Sequence, residues 1–171
     1  MPKTKDQYLN QRVGIFVDIQ NMYHSAKNLF NRNVNFSKIL KEATAERQLI
    51  RAIAYVVKSG TSEEEKFFSA IADQGFELKI KDLQIFPGGM KKADWDVGLA
   101  VDAIKLADRL DAVVLVTGDG DFVPLVLYLK ENKGCLVELM AFGKTASAKL
   151  IESVDRFTDL SKDEKFLLKR Y

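Results

Sequence analysis

Residues 12–17, Arg-Val-Gly-Ile-Phe-Val, place apolar side chains one after another. A short run of that kind suits a strand covered on both faces. Residues 21–30 and 36–43 then mix polar and apolar positions as surface helices do. Residues 49–57 are rich in β-branched side chains and predict a second strand. Ser62 and Glu65 have capping-box spacing, opening a helix that runs to about Gln74 and stops at Gly75. Residues 76–81 alternate as a third strand, and Pro87-Gly88-Gly89 breaks the chain after it. A strong helix is predicted over residues 94–109, and a fourth strand over 112–117 turns at Gly118-Asp119-Gly120-Asp121. Residues 122–132 read as helix, 135–141 as a fifth strand, and 145–154 as helix. Residues 161–171 read as a polar, helical extension.

Strands alternating with helices predict an α/β fold: one domain built on a doubly wound, mostly parallel, Rossmann-like sheet with helices on both faces. We expect the domain to span residues 12–160, between a polar N-terminal segment (1–11) and the C-terminal extension (161–171). With right-handed connections, the strands present their C-terminal ends along one edge, where ligands bind in such sheets.

Several carboxylates fall at that edge. Asp18 directly follows the first strand, and Asp119 and Asp121 follow the fourth. In the common doubly wound orders those strands are neighbours, so the three acids face one crevice. The helix supplies a fourth. Taken from Asp96 at 100° per residue, Leu99, Ala100, Ala103, Ile104, Leu106 and Ala107 lie within about 80° of its direction. Asp96 therefore sits on the core-facing line one turn into the predicted helix, Asp94 points the other way as an N-cap, and Asp102 lies at the border of the stripe. A carboxylate on a core-facing line is costly unless paired or metal-bound. Two unit charges ~5 Å apart repel by roughly 3 kcal/mol at an effective dielectric near 20. A retained proton or a bound divalent cation relieves that, and all-oxygen donors match Mg²⁺ or Mn²⁺ rather than zinc. Such a site serves metal-assisted phosphodiester hydrolysis.

Composition narrows the setting. The chain has 171 residues, 26 Lys+Arg against 24 Asp+Glu, and 47% hydrophobic residues, so a single folded core is affordable without staples and net charge says little about partners. No stretch approaches ~18 apolar residues, which argues against a membrane span. The polar start and the lone Cys135 lead us to expect a reduced, cytoplasmic protein. His24, Trp95, Phe122 and Cys135 read as surface or packing residues. Lys91 and Lys92 stand just before the acidic helix and suit phosphate contacts, as do Lys58 and Lys144 with less weight. Asn21, one turn after Asp18, brings an amide to the same place. Taken singly, the Gly-Asp turn and Asp18 are also explained by ordinary turn chemistry. A dinucleotide fold is excluded because the first turn, Asp18-Ile19-Gln20-Asn21, has no glycine. A dehalogenase-type phosphatase is excluded because Gln20 stands where its second acid belongs.

Four segments resemble the LabA-like branch of the NYN domains, within the PIN-like nuclease superfamily. They are Phe16-Val17-Asp18-Ile19-Gln20-Asn21, Lys92-Ala93-Asp94-Trp95-Asp96-Val97-Gly98-Leu99-Ala100-Val101-Asp102, Thr117-Gly118-Asp119-Gly120-Asp121-Phe122-Val123-Pro124-Leu125, and Ser147-Ala148-Lys149-Leu150 leading to Asp155-Arg156-Phe157. The resemblance implies a PIN-like parallel sheet and a ribonuclease in which Asp18, Asp96, Asp119 and Asp121 are the catalytic, metal-binding acids for Mg²⁺ or Mn²⁺. By the same carry-over Asn21 and Thr117 are neighbouring substrate-binding groups, Thr117 keeping the hydroxyl of a usual Ser. Asp102 matches a recurrent acid of the motif, and its place at the border of the apolar stripe makes it a support behind the other acids. The expected reaction is hydrolysis of RNA, single-stranded by preference, by a metal-activated water. A non-catalytic RNA-binding or regulatory module with the same pocket is the rival reading, and a phosphomonoester hydrolase a third. A homo-oligomer is compatible with the sequence.

Overall fold

Strand β1 (Arg12–Asp18) is buried from Val13 to Val17, with side chains alternating between two apolar layers. Val13, Ile15 and Val17 face α1 (Ile19–Phe30) and α2 (Phe36–Thr44), where Met22, Ala26 and Ile39 are buried. The chain continues through β2 (Gln48–Lys58), α3 (Ser62–Asp73), which adds Ile71 to that layer, and β3 (Glu77–Asp82). Two short strands, β4 (Gln84–Ile85) and β5 (Lys91–Lys92), make a separate antiparallel pair. Then come α4 (Asp96–Ala107), β6 (Ala112–Val116), α5 (Val123–Glu131), β7 (Leu136–Ala141), α6 (Ala148–Ser153) and β8 (Arg156–Asp159). Phe16, Ile53, Tyr55 and Leu115 face this second group of helices, with Leu99, Ala103, Leu125, Leu129 and Leu150. This computed structural model describes residues 9–169 apart from 86, 89, 90 and 93.

The main sheet is parallel throughout, in the order β3-β2-β1-β6-β7-β8. The chain winds outward from β1 to β3, returns to pair β6 with β1, and winds outward again. The two strands that meet at the reversal are in register from Val13↔Ala112 to Val17↔Val116. Their C-terminal tips therefore lie side by side, at the switch point where such sheets bind ligands. The expected α/β architecture with helices on both faces is what the chain adopts.

Local details depart from expectation. The cap of α3 is displaced by one residue: Thr61 is its N-cap, without a side-chain hydrogen bond, and Glu64 reaches back to accept from the Ser59 and Gly60 N–H groups. The Ser62/Glu65 box does not form. Helix α4 starts at Asp96 and α6 at Ala148, each later than predicted. Strand β8 went unpredicted because its four residues carry little pattern, yet Phe157 pairs with Leu139. The C-terminal segment is not a polar helix. It makes two 3₁₀ turns, Leu160–Lys162 and Glu164–Phe166, buries Phe166 and Leu167, and bridges Leu167 to Val34. Among the described residues no helix is long and apolar enough to cross a membrane.

A buried ion pair ties the α2–β2 turn to β7. Arg47, 8% exposed, holds Glu138 at 2.7 Å and also donates to the Ala43 carbonyl at 2.7 Å. Removing one partner leaves the other charge uncompensated, which costs about 3–5 kcal/mol, whereas replacing both with apolar side chains is often near neutral. We expect Arg47→Met to lower the urea unfolding free energy by about 3 kcal/mol. Arg47→Met with Glu138→Leu should recover most of that, and equal losses for both variants would contradict it.

Candidate metal centre

Asp18 ends β1 and caps α1 at once. Its carboxylate accepts from the Asn21 N–H at 3.2 Å and from the Thr117 hydroxyl at 3.2 Å. Thr117 is fully buried, and its oxygen also accepts from the Asp119 N–H at 3.2 Å. The Asn21 side-chain oxygen accepts from the Gly118 N–H at 2.8 Å. The β1 and β6 tips are thus lashed together by side chains that the sequence reading assigned to substrate. For Thr117 that expectation is corrected: the hydroxyl is buried and engaged on both sides. Asn21 does line the cleft, through an amide whose oxygen is already taken.

The turn after Thr117 needs its glycines. A Cβ on Gly118 would lie 3.1 Å from the Ala146 backbone, and one on Gly120 would lie 2.7 Å from the Ser147 hydroxyl. The close approach lets the Ser147 N–H donate to the Gly118 carbonyl at 3.0 Å. Asp119 then accepts from the Asp121 N–H at 2.9 Å and starts a 3₁₀ turn, Gly120–Phe122, anchored by buried Phe122. The Asp119 carboxylate is fixed by this local backbone geometry, and Asp121 stands exposed beside it.

Asp96 is the first residue of α4, and Leu99, Ala103 and Ala107 below it are buried, so its helical phase is as expected. One carboxylate oxygen from each of Asp96, Asp119 and Asp121 lies within 4.8 Å of the others. Asp18 lines the same cleft of about 400 Å³ as Asp96 and Asp119, outside that three-oxygen group. Asp94 lines it too. The sequence reading pointed Asp94 away as an N-cap, but Trp95 holds that position, and Asp94 accepts weakly from the Asp96 N–H at 3.3 Å.

The start of α4 is pinned to β2 and β3. Trp95 Nε1 donates to the Val56 carbonyl at 2.9 Å, and Lys81 Nζ donates to the Asp94 carbonyl at 2.9 Å while lying over the Trp95 ring. Deeper in the helix, Asp102 accepts from the Tyr55 hydroxyl at 2.8 Å and from Lys79 at 2.6 Å. Asp102 therefore touches Tyr55, which lines the cleft, rather than another acid. The Lys91 and Lys92 side chains lie outside the described residues, and only their backbone pairing is placed. His24 is exposed at the cleft with its ring edge-on to Tyr23.

Residues 12–161 match the NYN domain. The chain belongs to the NYN domain family. This NYN domain is 24% identical to the low amplitude and bright protein LabA of Synechococcus elongatus, over 92% of this chain and 88% of that protein. It is 26% identical to an uncharacterized protein of Methanocaldococcus jannaschii over 76% of this chain, spanning 48% of that protein. A crystal structure of a protein of unknown function from Vibrio parahaemolyticus superimposes with a TM-score of 0.87 and 32% identity, covering 94% of this chain and 98% of that one.

In this NYN domain Asp96 and Asp18 hold protons more tightly than isolated carboxylates. Burial pushes Asp96 up to about 7, and the charges of Asp119, Asp18, Asp94 and Asp121 add to it. Burial also raises Asp18, aided by Asp119 and Asp94, while the Asn21 N–H and the Thr117 hydroxyl pull the other way. Among the described residues no lysine or arginine makes an ion pair with Asp18, Asp94, Asp96, Asp119 or Asp121. The donor set is oxygen only, which suits a hard divalent cation.

Because Asp96 binds its proton more tightly folded than at its ordinary 3.8, the folded state is favoured at low pH. That advantage is lost as pH rises from about 4 to about 7. Discounted for partial exposure, the effect is on the order of 1 kcal/mol, or about 2–4 °C for a chain of this size. Without divalent cations, Asp96→Asn should melt about 2–4 °C above wild type at pH 8 and level with it near pH 4. No difference at pH 8 would contradict this electrostatic account.

Proposed function

We propose that this NYN domain is a divalent-metal-dependent ribonuclease, hydrolysing phosphodiester bonds of single-stranded RNA at the β1/β6 tips. The observation that carries the reading is the meeting of the Asp96, Asp119 and Asp121 carboxylates within 4.8 Å, with Asp18 beside them and no cationic partner among the described residues. Asp96, Asp119 and Asp121 are the residues that would hold Mg²⁺ or Mn²⁺, and Asp18 completes the negative wall. When bound, such a cation supplies an acidified water and neutralises charge developing on phosphate.

The remaining work falls to the chain itself. Thr117 and Asn21 keep Asp18 and the Asp119 turn in place, so the acids are presented without reorganisation. The Tyr55–Asp102–Lys79 contacts and Trp95 keep α4, and with it Asp96, against β2 and β3. With its carboxyl pushed up to about 7, Asp96 is partly protonated near neutral pH, and it would have to be deprotonated to hold a cation. Lys91 and Lys92, on the hairpin just before α4, serve the phosphate backbone. A reducing cytoplasm is the setting in which Cys135, buried and free, stays a thiol.

Labelled single-stranded RNA incubated with Mn²⁺ should be cut by wild type. Asp119→Asn should cut at least about 100-fold more slowly, since even partners of a metal ligand are worth 10–100-fold. Equal cleavage by the two proteins would overturn the assignment. RNA binding without turnover at any metal concentration would replace it with a regulatory RNA-binding module.

A further inference from the structure

The cleft holds more than an ion. Six waters around a cation take up roughly 180 Å³ at about 30 Å³ each, against about 400 Å³ here. Its carboxylates gather at the β1 and β6 tips, and α1 gives the remaining space a different chemistry. Gln20, Asn21, His24, Ser25 and Asn28 all line it, and none is a lysine, an arginine or a carboxylate. Gln20, His24 and Asn28 recur every four residues and form one ridge about 12 Å long at 1.5 Å per residue. Asn21 and Ser25 lie on the adjoining ridge. Within the described residues the side chains of Gln20, Ser25 and Asn28 make no hydrogen bond. Their donors and acceptors are open to the cleft.

A ligand that complements this cleft is anionic at one end, where a cation would sit among the carboxylates, and neutral but rich in hydrogen-bonding groups at the other. A nucleotide has that form. Phosphates recruit lysine and arginine, whereas a carboxamide offers a donor and an acceptor side by side, the pairing that matches the N6/N7 edge of adenine, where guanine presents two acceptors. In single-stranded RNA those base edges are free to be read. Trp95 is not free to stack on a base, because it lies under Lys81, packs on Tyr55 and donates its N–H to Val56.

We infer that the α1 ridge of Gln20, His24 and Asn28 reads the nucleobase next to the phosphate seated at the acids, and favours adenine there. The inference rests on the ribonuclease reading and deepens it from RNA in general to a base preference.

Four short RNAs differing only in the base next to the cleavage point separate the two. With Mn²⁺, wild type should cut the adenine substrate at least about fivefold faster than the uracil one, the lower end for one bidentate contact. Gln20→Ala with Asn28→Ala should reduce that ratio to near one while leaving Mn²⁺ affinity by calorimetry unchanged, because neither side chain belongs to the acid cluster. The same RNAs are also measured for binding by fluorescence anisotropy in Ca²⁺. A wild-type binding preference without cleavage, erased in the double variant, would uphold the ridge and remove the nuclease reading. Cleavage with no base preference, or a preference that survives the double substitution, would overturn the ridge and leave the nuclease standing. Neither binding nor cleavage would overturn both.

Discussion

The carboxylates of Asp18, Asp94, Asp96 and Asp119 share one cleft, and their mutual repulsion is the force that the surrounding structure works against. At ~5 Å, the scale on which Asp96, Asp119 and Asp121 meet, two ionised carboxylates oppose folding by roughly 3 kcal/mol at an effective dielectric near 20. The opposing terms are visible. Burial of β1 and β6 on both faces fixes the strand tips that carry Asp18 and Asp119. Thr117 and Asn21 cross-link those tips, and contacts from β2 and β3 hold the start of α4. Part of the strain is relieved by protonation, with Asp96 pushed up to about 7.

This arrangement explains why the site is assembled from strand ends and a helix start rather than from one loop. Parallel strands buried on both faces are among the least deformable parts of an α/β fold, and their tips are the natural place to store an unfavourable charge cluster. The reversal of strand order between β1 and β6 opens the crevice, and α1 and α4, on opposite faces of the sheet, bring polar and acidic side chains to it. Function and topology are linked through one position in the sheet.

Much of this was legible in the chain. Asp18 and Asp119 could be placed because each directly follows an apolar run, and Asp96 because Leu99, Ala103 and Ala107 fix the phase of its helix. Asp94 was misread because α4 starts two residues later than its pattern, so helical phase says nothing of where Asp94 points. Thr117 was read as a substrate contact because residue type does not reveal burial; its 0% exposure does. The terminal segment looks polar because its one short apolar run, Phe166-Leu167-Leu168, is flanked by charges, and only the partner surface at Val34 makes part of it core. The α1 ridge carried no signal beyond polarity, since what it lines is decided by tertiary packing.

The central claim is that these acids form one cation cage, and its most direct test is a crystal grown with millimolar Mn²⁺ and recorded at an energy where manganese scatters anomalously. The account predicts an anomalous peak among Asp96, Asp119 and Asp121, within ligand distance of their carboxylate oxygens and lost in Asp119→Asn. No peak there, or a peak only at some other acidic surface, would contradict it.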